Sequence, residues 1–271
     1  GYVLLAGAIL TKGPLALVIP ALVLLPVWWR ERALARPRIR DLAKAAAVFV
    51  VIALPWYAAM AAEHGVAYLQ SFFLSDNLER FATNRFNEPR AVWFYLPILA
   101  GGMVPWSAYL LVLGRREMYD WLARRRPPTA AEWRLLLWVM LPLLFFTLSV
   151  GKQPRYILPV LPPLAILLAQ MLIRRLEGNH QPELVRDLRV ATWVTAALYL
   201  ILAVLIFRAR PLFISAYPLA TWLAIAGVCG SSLVLGWVAT TNRWLRLPPV
   251  MVGSAVVLLL GLQFGALSGR R

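Results

Sequence analysis

The sequence has little of what soluble enzymes and secreted domains are built from. Its 271 residues include one cysteine, Cys229, which excludes a disulfide scaffold and a cysteine-based metal cluster. Only 15% of the residues are charged, whereas soluble domains average about 25%. The two histidines, His64 and His180, stand alone and indicate no metal site. No GxGxxG, Walker, HExxH or CxxC motif is present, so nothing supports a soluble nucleotide-dependent enzyme.

The chain has instead an excess of apolar residues and of positive charge. Hydrophobic residues make up 61% of it, the mean hydropathy is +0.69 and the formal net charge is +16. A basic protein could bind nucleic acid, but these apolar runs are too long for a soluble nucleic-acid-binding domain. Membrane proteins concentrate Lys and Arg in their cytoplasmic loops, which accounts for the charge without a nucleic-acid partner.

Long apolar runs predict an all-α, polytopic transmembrane helical bundle with about 8–9 membrane segments, because a spanning helix needs about 20 apolar residues. The runs cover residues 1–10, 14–29, 45–62, 91–113, 135–149, 156–173, 190–207, 218–239 and 248–267. We expect residues 1–271 to form one transmembrane domain. Because Gly1 opens inside an apolar run, we also expect a fragment that lacks N-terminal spans and any C-terminal external domain.

The distribution of positive charge predicts the orientation. Eighteen of the 28 Lys and Arg residues fall in four alternate loops, which are residues 30–44, 114–134, 174–189 and 240–246. Nine more Lys and Arg residues fall in the intervening loops and the C-terminal tail. These loops are residues 63–90, 150–155 and 208–217. Cytoplasmic loops are rich in positive charge, so the first set is predicted to be cytoplasmic. Lys12, loop 63–90 and the turn 151–155 then share the external face.

Lys12 is the first candidate site residue. It stands in Leu10-Thr11-Lys12-Gly13-Pro14, where Gly-Pro interrupts an apolar stretch, and only three of the basic residues of the chain are lysines. An ammonium is a compact point charge that suits a phosphate oxygen. The alternative is a lysine that extends from a helix end to the interface. The sequence alone leaves both interpretations open.

The long external loop holds the second candidate. At 100° per residue, the apolar residues Leu69, Phe72 and Phe73 share one helix side with Asp76 and Arg80. This predicts an external interfacial helix with its aromatic residues in the lipid and its polar end toward a cavity. The alternative is a solvated helix with an Asp76–Arg80 pair. Asp76 and Glu79 fall on different faces, which argues against paired acid–base carboxylates.

A basic turn at residues 151–156 is the third candidate, with the sequence Gly-Lys-Gln-Pro-Arg-Tyr. External turns are usually poor in positive charge, so two cations here indicate an anionic ligand. The alternative is an ordinary basic turn at the interface. Trp93, Tyr95 and Trp106 bracket the neighbouring apolar run and are predicted to be aromatic residues of the membrane–water interface.

Several motifs occur in the same order as in a known family. They are Leu-Thr-Lys-Gly at 10–13, Phe-Phe-x-x-Asp-Asn-Leu-x-Arg-Phe at 72–81, Phe-Tyr-x-Pro at 94–97, Pro-Trp at 105–106 and Gly-Lys-x-Pro-x-Tyr-Ile-Leu at 151–158. The set resembles the polyprenyl-phosphate-sugar-dependent glycosyltransferases of the GT-C membrane fold. Among these are the bacterial lipid A aminoarabinose transferases and the protein O-mannosyltransferases. The resemblance covers roughly residues 1–175, and from residue 190 on only the hydropathy is similar.

The resemblance implies a membrane glycosyltransferase that passes a sugar from undecaprenyl phosphate to a lipid or protein acceptor at the periplasmic face. It implies that Lys12 and Arg80 lie at the carrier-lipid phosphate, that Tyr156 lines the same cavity, and that Lys152 belongs to this site. Asp76 and Arg155 are further candidates for lining the cavity.

The resemblance leaves the chemistry incomplete within this chain. It implies a catalytic acidic residue upstream of residue 1, so no catalytic residue is assigned here. Asp76 departs from the aminoarabinose transferase pattern, which leaves the acceptor open. No divalent metal is indicated, and the lipid-linked sugar is the only small molecule expected. We expect a multi-pass protein of the bacterial inner membrane. The rival hypotheses are a transporter or flippase for an anionic lipid or sugar phosphate, and a non-catalytic membrane scaffold.

Overall fold

A computed structural model describes residues 1–31, 38–79, 82–83, 90–177, 182–209, 218–261 and 263, with the backbone alone at 76–78, 209 and 218–220. The α-helices are α1 (Tyr2–Lys12), α2 (Leu15–Arg30), α3 (Ile39–Ile52), α4 (Leu54–His64), α5 (Val66–Gln70), α6 (Tyr95–Gly102), α7 (Ser107–Leu122), α8 (Ala130–Leu148), α9 (Leu161–Glu177), α10 (Pro182–Ala209), α11 (Pro218–Thr241) and α12 (Leu247–Gly261). A π-helix covers Ser71–Glu79, and 3₁₀ turns cover Val92–Phe94, Pro154–Val160 and Trp244–Arg246.

The predicted all-α membrane fold is confirmed, with a lower count of full-length spans among the described residues. Six helices are long and apolar enough to cross a membrane, or seven if the bent pair α6 and α7 forms one span. Where the predicted apolar runs are described they fall on helices, but run 91–113 is divided between α6 and α7 and run 45–62 between α3 and α4, and α1 and α2 have only 11 and 16 residues. At 1.5 Å per residue α2 is about 24 Å long, which is less than the hydrocarbon core of about 30 Å.

The helices form two compact units, and the first contains residues 1–99 and 129–164. Within it, α1 packs against α2 and α3, and α2 packs against α8. Its best-defined core joins α1 to the α3–α4 junction through the buried residues Ile9, Ala53 and Tyr57. This core holds the end of α1, where Lys12 lies. The prediction of a single domain over the whole chain is not tested by this division.

The second unit contains residues 100–128 and 165–271. Its centre is the antiparallel series α10, α11 and α12, and small residues allow these helices to approach closely. A Cβ atom at Gly227 would lie 2.5 Å from Cγ1 of Val257, and one at Gly261 would lie 2.9 Å from Cβ of Ala224. Close packing through small residues is typical of membrane helices, which gain no hydrophobic driving force from one another in lipid.

Buried hydroxyl groups add polar contacts between the helices of the second unit. Tyr109 Oη donates to Thr192 Oγ1 at 2.7 Å and joins α7 to α10. Tyr199 Oη donates to Ser254 Oγ at 3.0 Å and joins α10 to α12. Hydroxyl groups in an apolar interior must find such partners, because an unpaired one is costly. These bonds therefore set the register of the helices as well as their contact.

Each unit gathers its own basic segments at a common end, as the predicted alternation requires. In the first unit, Arg134 Nε donates to Glu31 Oε1 at 3.0 Å. In the second, Arg174 Nη1 lies 3.1 Å from the buried Glu117 carboxylate, and Arg189 Nη2 donates to Asn242 Oδ1 at 3.0 Å. Every one of these residues lies in or next to a segment that the charge distribution assigns to the cytoplasm.

Candidate functional site

Lys12 is the last residue of α1, and the helix end that carries it is fixed by two hydrogen bonds. Gly13 has φ 61°, a left-handed conformation that favours glycine. Its N–H donates to the carbonyl oxygen of Ile9 at 2.7 Å. Tyr57 Oη donates to the same oxygen at 3.0 Å from α4. The Lys12 side chain is exposed, so a rigid backbone presents an ammonium that is accessible to a ligand.

The helix predicted in the external loop exists, but its winding differs from the prediction. Residues Ser71–Glu79 form a π-helix, so their side chains do not follow the 100° spacing of an α-helix. Phe72 and Phe73 pack against Tyr57, with ring centroids 6.0 and 5.4 Å away. Both rings are half-buried: one part of each packs on α4, the helix that supports the end of α1, and their placement in the lipid stays a prediction.

The polar residues of this loop remain predictions. Arg80 lies outside the described residues, and only the backbone of Asp76 is described. At the end of the π-helix, the Glu79 carbonyl oxygen accepts hydrogen bonds from the backbone N–H of Thr83 at 2.8 Å and from its hydroxyl at 2.7 Å. The proposed Asp76–Arg80 pair is accordingly neither supported nor opposed.

The turn after α8 contains a buried lysine. Lys152 is 7% exposed, and its Nζ donates to the carbonyl oxygen of Ser149 at 2.6 Å. Ser149 Oγ donates in turn to the carbonyl oxygen of Gly151 at 2.8 Å. No carboxylate of the described residues forms an ion pair with Lys152. A buried ammonium without a counter-ion is costly, so an anion that reached it would be strongly stabilised.

Two tyrosines belong to the same region of the first unit. The Tyr156 ring stacks on Phe146 with a centroid separation of 5.3 Å, and Tyr95 lies near both Tyr156 and the backbone of Gln153. Both phenol oxygens are buried. The Tyr156 oxygen has no hydrogen-bond partner among the described residues, whereas the Tyr95 oxygen interacts with the backbone of Gln153. Buried hydroxyl groups are normally bonded, so the Tyr156 hydroxyl is a free donor in the same turn region as the Lys152 ammonium.

Tyr95 corrects one prediction. It was expected at the membrane–water interface, yet it is 1% exposed, whereas its neighbour Trp93 is 63% exposed and fits the interface. An aromatic residue near the start of an apolar run can lie either in the interior or at the interface, so the sequence position of Tyr95 did not distinguish the two. The Phe-Tyr-x-Pro motif at 94–97 was the only sequence signal that could have identified it.

Arg155 lies in the same turn but in a different environment. It is exposed, and its Nε donates to Gln153 Oε1 at 2.5 Å. The turn therefore places one cation in the interior and one at the surface. The buried ammonium and the two phenols can donate hydrogen bonds to the oxygens of one anion. Arg155 can add long-range attraction.

Comparison with known proteins identifies relatives over most of the chain. No family model matches. The chain is 32% identical over 286 aligned positions to the undecaprenyl phosphate-alpha-4-amino-4-deoxy-L-arabinose arabinosyl transferase of Enterobacter sp., covering 96% of this chain and 47% of the relative. It is 38% identical over 226 residues to the enzyme of that name from Pseudomonas paraeruginosa, covering 79% and 39%. The chain thus spans less than half the length of these relatives.

Solved structures show the same fold. The crystal structure of ArnT from Cupriavidus metallidurans bound to undecaprenyl phosphate matches with a TM-score of 0.64 and 24% identity, over 97% of this chain and 47% of that one. The apo structure of the same protein matches with a TM-score of 0.61 and 23% identity. The similarity of fold therefore extends well past residue 175, where the resemblance in sequence ends.

Proposed function

We propose that this chain, a homologue of the bacterial aminoarabinose transferases with their GT-C fold, supplies the carrier-lipid part of a membrane glycosyltransferase. The whole protein would transfer 4-amino-4-deoxy-L-arabinose, the sugar in its relatives' names, from undecaprenyl phosphate to lipid A. The reaction would take place at the periplasmic face of the inner membrane. A lipid acceptor is favoured over a protein acceptor, because the relatives of highest coverage are aminoarabinose transferases.

The proposed reaction makes one demand on this chain. The bond between the sugar C1 and the carrier phosphate oxygen breaks, while an acceptor oxygen bonds to C1. Undecaprenyl phosphate leaves with the negative charge that develops on its oxygen. Preorganised donors at that oxygen lower the barrier most effectively in a site that excludes water. The chain must therefore place cationic or polar donors where the phosphate sits, near the membrane surface.

The observation that carries this proposal is the buried Lys152, which has no carboxylate partner among the described residues. One hydrogen of its ammonium is bonded to Ser149, which leaves two for a ligand. Tyr156, four residues further along the chain, holds a buried hydroxyl group without a partner among the described residues, and the buried hydroxyl of Tyr95 lies near the backbone of Gln153. A phosphate has several strong acceptor oxygens and would satisfy all three groups, whereas a neutral sugar would leave the charge of the ammonium uncompensated.

The remaining residues enter the proposal through the family resemblance. Lys12 and Arg80 would contact the carrier phosphate from the N-terminal side of the chain, and Asp76 and Arg155 would line the cavity. The rigid end of α1 supports this role for Lys12, because a fixed backbone leaves only the side chain to be ordered on binding. The carboxylate that activates the acceptor is proposed to lie outside these residues, as in the resemblance.

The test uses the full-length protein reconstituted with undecaprenyl-phosphate aminoarabinose and lipid A. Mass spectrometry of the lipid A should show the addition of one aminoarabinose residue. Tyr95→Phe combined with Tyr156→Phe should lower transfer and carrier affinity together. If the carrier binds and crosses the bilayer of sealed vesicles without any transfer to lipid A, the protein is a transporter and the proposed function is wrong.

A further inference from the structure

A cavity of about 460 Å³ opens at the turn between α11 and α12, in the second unit. Its lining consists of Val185, Asn242, Arg243, Trp244, Leu245 and Arg246. These residues belong to segments that the charge distribution assigns to the cytoplasmic face. The cavity is built from different residues than the proposed carrier-lipid site, whose groups belong to the first unit.

The turn that forms this cavity is held in one conformation. Asn242 adopts φ 54°, a left-handed conformation that asparagine tolerates better than most residues. Its Oδ1 accepts a hydrogen bond from Arg189 Nη2 at 3.0 Å, which ties the turn to α10. Trp244 is 4% exposed and anchors the middle of the turn in the interior. The neighbouring arginines therefore project from a fixed backbone.

The cavity has two positive charges without nearby negative ones. The guanidinium carbons of Arg243 and Arg246 lie 5.1 and 5.4 Å from the centroid of the Trp237 ring, so cation–π attraction gathers both groups at one indole. No carboxylate of the described residues pairs with either side chain. Two confined guanidinium groups repel each other, so the site favours an anion that bridges them.

The acidic residues at the start of α10 are already engaged elsewhere. Asp187 accepts from Arg116 at 2.5 Å, and Glu183 lies 3.8 Å from the same arginine. Residues 178–181, which precede α10 and lie outside the described residues, contain no Asp or Glu. The charge at the cavity is therefore not balanced by the chain segments next to it.

An exposed apolar surface continues from the cavity. Leu245, which lines the cavity, is 76% exposed, and Leu233 on the adjoining α11 is 74% exposed. Trp237 is 40% exposed between the arginines and this apolar surface. An anion flanked by apolar contacts is an amphiphile, and at a membrane the abundant amphiphilic anion is a phospholipid. Basic pockets between helices on the cytoplasmic side bind such headgroups in membrane proteins.

We propose that Arg243 and Arg246 bind the phosphate group of an anionic phospholipid, such as phosphatidylglycerol, in the cytoplasmic leaflet. The lipid phosphate bridges the two guanidinium groups, and its acyl chains run along α11. Arg189 holds Asn242 and so keeps the turn open for the headgroup. This site is independent of sugar transfer, and it makes the protein sensitive to the lipid composition of its membrane.

Native mass spectrometry of the full-length protein in detergent tests this site. The protein is titrated with phosphatidylglycerol, with phosphatidylcholine and with inorganic phosphate in separate experiments. The parent should retain one phosphatidylglycerol molecule in preference to the other two. The double variant Arg243→Ala, Arg246→Ala should bind it about thirtyfold more weakly, because each basic residue contributes about 1 kcal/mol to attraction by an anionic lipid surface.

A second double variant, Arg38→Ala with Arg40→Ala, is the matched control. It removes two exposed arginines of another predicted cytoplasmic segment and should keep the parent's affinity. Arg243→Lys with Arg246→Lys retains the charge but loses the bidentate geometry, so it should fall between the parent and the alanine variant. Equal losses in both alanine variants would show a diffuse charge effect and overturn the proposal. Binding of inorganic phosphate as tightly as of the lipid would also overturn it.

Discussion

Replacing Lys152 by methionine should separate the binding role of this residue from its structural role. Lys152 is 7% exposed, and its ammonium donates to the carbonyl oxygen of Ser149 at 2.6 Å. Methionine has a similar length and no charge, so it should fill the same space with little repacking. We expect the variant to bind undecaprenyl phosphate weakly while the unliganded protein remains as stable as the parent.

The magnitude follows from the bonds that this ammonium can make. A hydrogen bond to a charged group contributes about 1.5–3 kcal/mol, and a tenfold change in affinity corresponds to about 1.4 kcal/mol. Loss of the bond from Lys152 to the phosphate should therefore weaken binding about ten- to a hundredfold. In the unliganded protein the variant loses the bond to Ser149, worth about 1 kcal/mol. It also removes a buried charge that no carboxylate of the described residues neutralises, which offsets this loss.

The assay is a calorimetric titration of the full-length protein with undecaprenyl phosphate in detergent, together with thermal unfolding in the absence of the lipid. Lys44→Met is the matched control, because Lys44 is an exposed lysine of α3 on the predicted cytoplasmic side. It should leave the affinity unchanged. If Lys152→Met binds the lipid like the parent but has a lower Tm, the lysine only stabilises the end of α8 and the phosphate role is refuted.

Three further predictions concern stability and orientation. Tyr57→Phe removes the hydroxyl that donates to Ile9, so the free energy of unfolding should fall by about 1 kcal/mol, measured by thermal denaturation. Glu117→Gln neutralises a carboxylate that is 1% exposed and paired with three arginines, and should cost about 3 kcal/mol in the same assay. Val92→Cys should react with an impermeant thiol reagent from outside intact cells, whereas Leu122→Cys should not.

The controls use exposed positions of the same residue types. Tyr119→Phe and Glu63→Gln alter exposed side chains and should change the Tm little. An unchanged Tm in the Glu117 variant would mean that its arginines are stabilised by solvent alone. The labelling experiment replaces Cys229 by serine beforehand, and labelling of position 122 but not of position 92 would reverse the orientation.

Run length, loop charge and motif order were enough to predict the membrane fold and the group of transferases that the chain resembles. A bilayer requires helices of about 20 apolar residues and has no place for charged loops in its interior, so run length and loop charge alone predict spans and their alternation. The order of the motifs around Lys12, Phe72 and Lys152 was sufficient for the resemblance that the relatives confirm. Each of these signals is local in the sequence, so it can be recognised without knowing which residues pack against it.

The burial of polar groups, and the lack of partners for some of them among the described residues, follow from packing between distant segments. Tyr57 and Ile9 are 48 residues apart, and their hydrogen bond depends on how α1 meets α4. Tyr95 and Trp93 read alike in the sequence, yet one is buried and the other exposed. No spacing rule within one segment could have predicted these properties. They depend on which residues packing brings together, as the burial of Tyr95 and the isolation of the Lys152 ammonium show.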